Sequence, residues 1–377
     1  MKIVVIGGDR RIFDPQSENF LRIRNYADLF EELHIIVFTD RKYRPKIIDS
    51  RLFLWPTRSF SPFLRWFDAI IISLRLSRAH SINLIDAENP GEAGFAAFCV
   101  SKITSIPFRI QVHTDIFSTF YQNASWKENF RYHMSKFLIP RADCIRAVSQ
   151  RVKRSLLKFG GEKLTSRITI LPIFTDISRF FEAEPDRQTR ERFKNYEFKM
   201  LAVGRLVDKE KNFSMLIGMM HDFVKVCPKA LLVLVGDGPD EESYKGQVTR
   251  NKLENHVKIE PWRDDLPSFY KSFDLYLMSS NFEGWGRTVI EAMAAGLPVL
   301  MTDVGVAGEV VQSELNGIVV PPQNKVSFLN SIKDLCLNPE KRRFLAEAGL
   351  KTARDLTPQN HTEYLQQYYE ALNSCTK

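Results

Sequence analysis

Long apolar runs are missing from this chain. Nothing in its 377 residues approaches the roughly 18 consecutive apolar residues that a membrane span needs. The opening MKIVVIGGDRR has an apolar run too short for a secretory leader, and it ends in Gly-Gly-Asp instead of a cleavage site. Cysteine is sparse and unpaired in pattern. Cys99, Cys144, Cys227, Cys336 and Cys375 are scattered, with no C-x-x-C and no histidine at ligand spacing. This predicts reduced thiols in a cytoplasmic protein and argues against a structural zinc. Short-period repeats and low-complexity tracts are also lacking. So is a G-x-G-x-x-G fingerprint: the first strand closes on Gly7-Gly8-Asp9, and no such motif opens the second half. That disfavours a dinucleotide-dependent oxidoreductase.

What the chain does have is bulk, a soluble composition and an uneven charge. Its length suits two domains of about 150 to 200 residues, and 44% hydrophobic with 26% charged residues is that of a globular enzyme. The net charge of +8 resides in the first half, where residues 1–175 hold 27 Lys+Arg against 16 Asp+Glu; the remainder holds 26 against 29. A basic first half calls for an anionic partner, or else is a solvated surface. Nucleic-acid binding rests on charge alone, without any motif, and is not expected.

Short apolar runs alternate with segments of helical period, which predicts parallel sheets with crossover helices. Strands are expected over 3–6, 34–39, 84–87, 108–113, 144–148 and 169–172, with a helix over 19–31. A second series follows, with strands over 200–203, 230–235, 257–260, 275–278, 298–301 and 317–320. The charged, aliphatic-poor stretch at about 174–197 reads as the interdomain connection. After Thr357-Pro358 an amphipathic helix carries Tyr364, Leu365, Tyr368, Tyr369 and Leu372. Two doubly wound domains result, each binding ligand at the carboxyl ends of its strands.

The densest motif is residues 281–301, NFEGWGRTVIEAMAAGLPVLM. A strand feeds a loop with Glu283, Gly284 and Gly286; a helix runs from about Arg287 and stops at Gly296, with Pro298 just beyond. Glycines let backbone approach a ligand, and a helix start presents unpaired N–H groups, a ready site for a diphosphate. Glu291 lies about a turn inside the helix, and a carboxylate there can accept hydrogen bonds from vicinal hydroxyls.

This E-G-x-G-x(4)-E-A-M-A-A-G-x-P-V run closely resembles glycosyltransferase family 4, retaining enzymes of the GT-B fold. The resemblance implies two Rossmann-like doubly wound domains facing a central cleft: 1–175 for the acceptor, with 358–377 crossing back, and 196–357 for the nucleotide-sugar. It implies that Glu283 contacts the donor sugar and Glu291 the nucleotide ribose, while the loop amides of Gly284, Trp285, Gly286, Arg287, Thr288 and Val289 meet the phosphates. Gly204-Arg205-Leu206 followed by Lys211 resembles the family turn in which an arginine and a lysine neutralise the diphosphate, with Lys209 as a competing candidate for the lysine. Gly236-Asp237-Gly238-Pro239 matches a tight turn by the base, and Glu260 stands where relatives keep a glycine.

In the first half, Gly7-Gly8 stands where relatives keep a glycine loop, and Gly8 is assigned to the ligand. Ala87-Glu88-Asn89-Pro90 follows the third strand, where relatives often have Gln-Asp-Pro. To His113 falls the family histidine that reaches the donor sugar; Asp115 follows it. Residues 146–151 (RAVSQR) resemble the stretch that closes the first domain, with Ser149 as a helix cap.

The activity so implied is transfer of a hexose from a UDP- or GDP-sugar to a hydroxyl of a glycan or lipid-linked acceptor. Front-face substitution is expected, with the leaving phosphate taking the acceptor proton. No D-x-D occurs, so a metal-independent site without a cofactor is expected. A GT-B sugar-nucleotide epimerase and a catalytically weak binding partner are the rivals. Residues 60–67 and 117–141 interleave aromatics with cations. They are either the membrane-facing part of a peripheral protein on the inner face of the plasma membrane, or the core faces of crossover helices.

Overall fold

The computed structural model describes residues 1–356 and 361–376 and divides into two compact units, Met1–Pro172 with His361–Lys377, and Ile173–Asn360. Thr357-Pro358, read from the sequence as the lead into the last helix, lies outside the described residues.

The first unit is built on an eight-stranded sheet in the order β3-β4-β2-β1-β5-β6-β7-β8. Its strands are β1 (Lys2–Ile6), β2 (Glu32–Val37), β3 (Lys46–Ile47), β4 (Leu52–Pro56), β5 (Leu84–Ala87), β6 (Phe108–Val112), β7 (Cys144–Ala147) and β8 (Ile168–Ile170). All pairings are parallel except β3 with β4. The continuous aliphatic runs β1 and β2 are buried, as strands covered on both faces require. Strand β4 was not expected. It joins β2 with no crossover helix between them, so the alternation of strand and helix gives no hint of it.

The helix His361–Asn373 belongs to this unit for a polar reason. Arg109 pairs with Asp86 through Nε (2.9 Å) and Nη2 (2.7 Å), and Gln111 donates to Asp86 (2.7 Å). Arg146 donates to Gln111 Oε1 (2.8 Å) and to the Tyr364 hydroxyl (2.7 Å), while Arg109 also reaches the Tyr368 hydroxyl (3.2 Å). The two tyrosines of the last helix thus close a buried charge network, without which the ion pair would be left under-satisfied. Beyond that helix Cys375 forms a disulfide with Cys144 of β7, with Cα atoms 5.8 Å apart. This corrects the expectation of five free thiols. A separation of 231 residues leaves no local pattern to read.

At the opposite, amino end of β2, Glu32 accepts from Lys2 Nζ (2.6 Å) and lies 3.0 Å from His34 Nε2 and 2.6 Å from His80 Nδ1. The three side chains are close enough together to hold a cation. However, the Trp55 indole N–H donates to His34 Nδ1 (3.2 Å), which puts the imidazole proton on Nε2, facing Glu32. Lys2 already supplies the positive charge, so the cluster is a satisfied polar network. Burial would raise the Glu32 carboxyl, but Lys2, His34 and His80 outweigh it and hold it down at about 2.

The second unit has a six-stranded, fully parallel sheet in the order β11-β10-β9-β12-β13-β14. Its strands are β9 (Phe198–Val203), β10 (Ala230–Val235), β11 (Val257–Glu260), β12 (Leu275–Met278), β13 (Val299–Thr302) and β14 (Ile318–Val320). β10 is buried throughout, and the core continues into helices Phe213–Phe223 and Lys325–Leu337 through Leu216, Met220, Phe223, Phe328 and Ile332.

The stretch expected as the interdomain connection folds onto this unit as helices Ser178–Glu182 and Arg187–Arg192. Phe180 is buried against the Tyr270 ring (5.5 Å), and Asp186 caps the second helix. Ile177, Phe180, Thr189 and Phe193 are buried and dock a stretch whose composition otherwise reads as solvated. No helix of the described residues is long and apolar enough to cross a membrane.

Candidate functional site

Each sheet changes winding direction once, and ligands of doubly wound sheets bind outside the carboxyl ends of the strands at that point. In the second unit the change falls between β9 and β12. Gly204 follows β9 and the loop of residues 279–286 follows β12, so the switch point unites the two segments that the sequence singles out.

The two segments are joined by direct bonds. Ser279 Oγ donates to the Lys211 carbonyl (2.7 Å), Asn281 N–H to the Glu210 carbonyl (2.8 Å), and Asn281 Nδ2 to the Lys209 carbonyl (3.1 Å). Lys211 Nζ is ion-paired with Glu283 and lies 3.1 Å from Glu210 Oε1, and Ser280 Oγ donates to Glu283 (2.9 Å). Glu210 Oε2 also takes Arg205 Nη2 at 2.6 Å. A charge chain Arg205–Glu210–Lys211–Glu283 therefore runs across the switch point. Burial alone would push the Lys211 ammonium down, but Glu283 and Glu210 outweigh it and hold it above its ordinary value. Of the two candidate lysines, Lys211 makes this contact and Lys209 is exposed.

Glycines shape the floor. A Cβ on Gly236 would fall 1.9 Å from the Gly204 carbonyl oxygen, and one on Gly238 2.3 Å from that of Leu206. The Gly236-Asp237-Gly238 turn thus packs backbone to backbone under the loop that carries Arg205. Glu260 pairs with Arg192 (2.6 Å) and Arg263 (3.4 Å), so this departure from the family pattern is satisfied within the unit.

The helix Arg287–Ala294 starts at Gly286, which has φ +100° and no side chain to cap the first amides. Trp285 and Val289 are buried, Arg287 is exposed, and Thr288 bonds the Tyr276 hydroxyl. Glu291 is buried on this helix; Tyr270 Oη donates to its Oε2 (3.2 Å) and Arg287 Nη2 approaches its Oε1 (3.6 Å). Burial, with the Tyr276 hydroxyl and the Glu291 carboxylate nearby, pushes the Tyr270 phenol far up, so it stays a donor.

Sequence reasoning passed over Glu210, Tyr270 and Gly305. Glu210 had a visible signal, a carboxylate next to the candidate lysine. Gly305 has φ +53°, and a Cβ there would meet the Trp285 carbonyl oxygen at 2.4 Å, which locks the 283–286 loop from behind.

In the first unit Gly8 N–H donates to the Glu88 carboxylate. His113 follows β6; burial, with Arg146, Arg109 and Arg22 nearby, drives its imidazole down to about 3, so it is neutral at physiological pH. Asp115 accepts from Ser155 Oγ (2.6 Å), and Ser149 caps the helix Gln150–Gly160 through Val152 N–H (3.1 Å).

Residues 23–179 match the family model "Glycosyltransferase Family 4", and residues 184–352 match "Glycosyl transferases group 1". The sulfoquinovosyl transferase SQD2 of Arabidopsis thaliana is 25% identical over 89% of this chain and 66% of its own length. The GtfA subunit of the UDP-N-acetylglucosamine–peptide N-acetylglucosaminyltransferase of Streptococcus agalactiae is 29% identical over 41% of this chain and 33% of itself. The chain thus spans between a third and two thirds of the length of these curated relatives. Among solved structures, Anabaena Alr3699/HepE in complex with UDP and glucose superposes with a TM-score of 0.77 at 21% identity, covering 99% of this chain and 100% of that one.

Proposed function

Because the chain belongs to glycosyltransferase family 4 and has the GT-B fold, we propose that it is a retaining transferase. In this reading it moves a hexose from a UDP- or GDP-linked donor to a hydroxyl of a glycolipid or polysaccharide acceptor. The observation that carries this reading is the charge chain at the second switch point, beside an uncapped helix start.

The donor diphosphate takes the place between Arg205, Lys211 and the first amides of the helix Arg287–Ala294. As the glycosidic bond breaks, charge grows on the leaving phosphate, and fixed cations with oriented amides stabilise it without reorganising. Glu283 accepts from sugar hydroxyls and Glu291 from the ribose, held in place by Tyr270. Neither carboxylate is needed as a nucleophile: the acceptor hydroxyl attacks on the leaving-group face and its proton passes to the departing phosphate. His113, neutral, serves as hydrogen-bond partner to the sugar and not as an acid. The relatives carry the names of transferases and HepE was solved with UDP and glucose, which supports this reading over an epimerase or an inactive subunit.

The membrane belongs to the same reading. Phe63 is 77% and Trp126 70% exposed, with Phe60, Phe67 and Phe130 exposed as well, on segments that also carry Arg65, Lys127 and Arg131. Trp66 packs on Phe95 (5.3 Å) and Tyr121 is buried, so only part of the aromatic content is core. The exposed rings and Lys127 suit an anionic leaflet, where an exposed cation adds about 1 kcal/mol, while Arg65 is part-buried and Arg131 is paired with Glu92 and Glu128.

Thermal unfolding with UDP, GDP and ADP tests the donor site. One nucleotide at about a hundred times its dissociation constant should add about 2.7 kcal/mol of stability. Glu291→Ala should lose most of that shift. No shift with any nucleotide would remove the donor-site assignment.

A further inference from the structure

The first unit has a switch point of its own, between β1 and β5, and the donor reading leaves its polar groups unused. Gly7-Gly8 leaves β1 and Glu88 leaves β5, its N–H bonded to the Ile6 carbonyl (3.0 Å). Gly7 has φ +134°, and a Cβ there would stand 2.7 Å from Glu88 Cβ, so the glycine makes room for the carboxylate beneath the loop. One carboxylate oxygen accepts from Gly8 N–H; the other has no hydrogen-bond partner among the described residues.

Arg22, on the helix Glu18–Ala27, is half-buried and makes no hydrogen bond or ion pair among the described residues. Its charge is felt by Asp9, Glu88 and His113, three groups from three separate segments at the carboxyl ends of the strands. Asp9 does not neutralise it, being paired with Arg11 at 2.7 Å. Half-buried guanidinium groups are normally paired, because their fork of donors loses water without return. Here no such partner stands among the described residues, and the Glu88 carboxylate, with one oxygen unbonded among them, is within reach of the Arg22 charge.

Resting on the transferase reading, we propose that this crevice is the acceptor site and that the acceptor is a hydroxylated organophosphate. Arg22 holds the phosphate, the Gly7-Gly8 loop lies against the acceptor, and the free oxygen of Glu88 accepts from the hydroxyl that will attack. Guanidinium and phosphate match as a bidentate pair. The surplus of cations in residues 1–175 favours the approach of such a ligand. Burial, reinforced by the Asp86 carboxylate and opposed by Gly8 N–H and Arg22, lifts the Glu88 carboxyl to about 7, so a large share of it is ionised and able to accept at neutral pH. Its part is orientation; the proton still leaves with the donor phosphate.

The test is calorimetric titration of the full chain with glycerol 3-phosphate, with glycerol, and with phosphatidylglycerol in mixed micelles. Wild type and Arg205→Ala should bind glycerol 3-phosphate alike, Arg22→Gln at least tenfold more weakly, and glycerol should not bind. Arg22→Lys should recover part of the affinity, and Glu88→Gln, which keeps the Gly8 bond, should weaken it. Binding of phosphatidylglycerol alone, lost in Arg22→Gln, would support the site and assign it to a lipid-borne phosphate. Equal affinity in Arg22→Gln, loss only in Arg205→Ala, or no binding of either phosphate by wild type would overturn the proposal. The donor reading is scored separately. Arg22→Gln should keep the wild-type melting point and nucleotide shift, and Arg22-dependent binding without any nucleotide shift would sink the donor reading alone.

Discussion

Replacing Lys211 with methionine isolates the charge chain at the second switch point. The ammonium, Glu283 and Glu210 are only 15%, 15% and 18% exposed at the side chain, so the three charges share a largely dry space. At about 3 Å and an effective dielectric near 20, each contact is worth about 5 kcal/mol gross. Desolvation offsets most of this, but removing one partner leaves the others buried and unpaired, a loss of about 3 to 5 kcal/mol. Arg205 still pairs with Glu210 and Ser280 still donates to Glu283, which sets the expected loss near the lower end, about 3 kcal/mol. For a unit of this size that lowers its melting temperature by roughly 6 to 12 °C.

The pH dependence carries a sign. In wild type the folded ammonium sits above its ordinary value, so its contribution is constant through neutral pH and is lost only as pH rises past that value. Lys211→Met lacks that contribution, so its deficit against wild type is constant through neutral pH and shrinks only as pH rises past the ordinary lysine value, about 10. Differential scanning calorimetry of both proteins at neutral pH and above that value reads both effects. A variant within 1 °C of wild type at neutral pH, or a deficit that does not shrink in alkali, would refute the pairing.

Gly236→Ala should cost about 3 kcal/mol or more and abolish nucleotide binding, since its Cβ meets the Gly204 carbonyl, which cannot move without the strand. Gly296→Ala, with φ +78° but open space around it, should cost only about 1 kcal/mol; equal losses in urea unfolding would show that the clash is not what matters. In the first unit the depressed Glu32 carboxyl contributes stability at neutral pH that is lost as pH falls from about 5 towards 2. Glu32→Gln should flatten that acid limb in melting temperature against pH, and an unchanged limb would mean that other carboxylates govern it.

The sheets were legible because parallel strands buried on both faces must be near-continuous apolar runs, as β1 and β10 are and β9 and β12 nearly are. The segments that meet at the second switch point were legible because each places glycine at a strand end with a helix following. Strand β4 escaped because its five residues stand where a crossover helix was due. Tyr270 and the Cys144–Cys375 bridge escaped for another reason: their meaning lies in partners far along the chain, whereas Arg22 stands out only by making no hydrogen bond or ion pair among the described residues. The charged stretch that became two docked helices shows that four buried residues, Ile177, Phe180, Thr189 and Phe193, can outweigh a polar composition.

The Cys144–Cys375 bridge also orders events during synthesis. Residues Ile173–Asn360 form a unit whose strands all emerge from the ribosome before the helix His361–Asn373 does. The second unit can therefore be finished while the first still lacks Tyr364 and Tyr368, the hydroxyls that close its Arg109–Asp86 network. The half of the chain that is made first is completed last, and the bridge then seals it. Until then the nascent first unit is an unfinished fold with a buried ion pair short of partners. A chain truncated before residue 361 is expected to strand it there, open to proteases and chaperones, however sound the second unit.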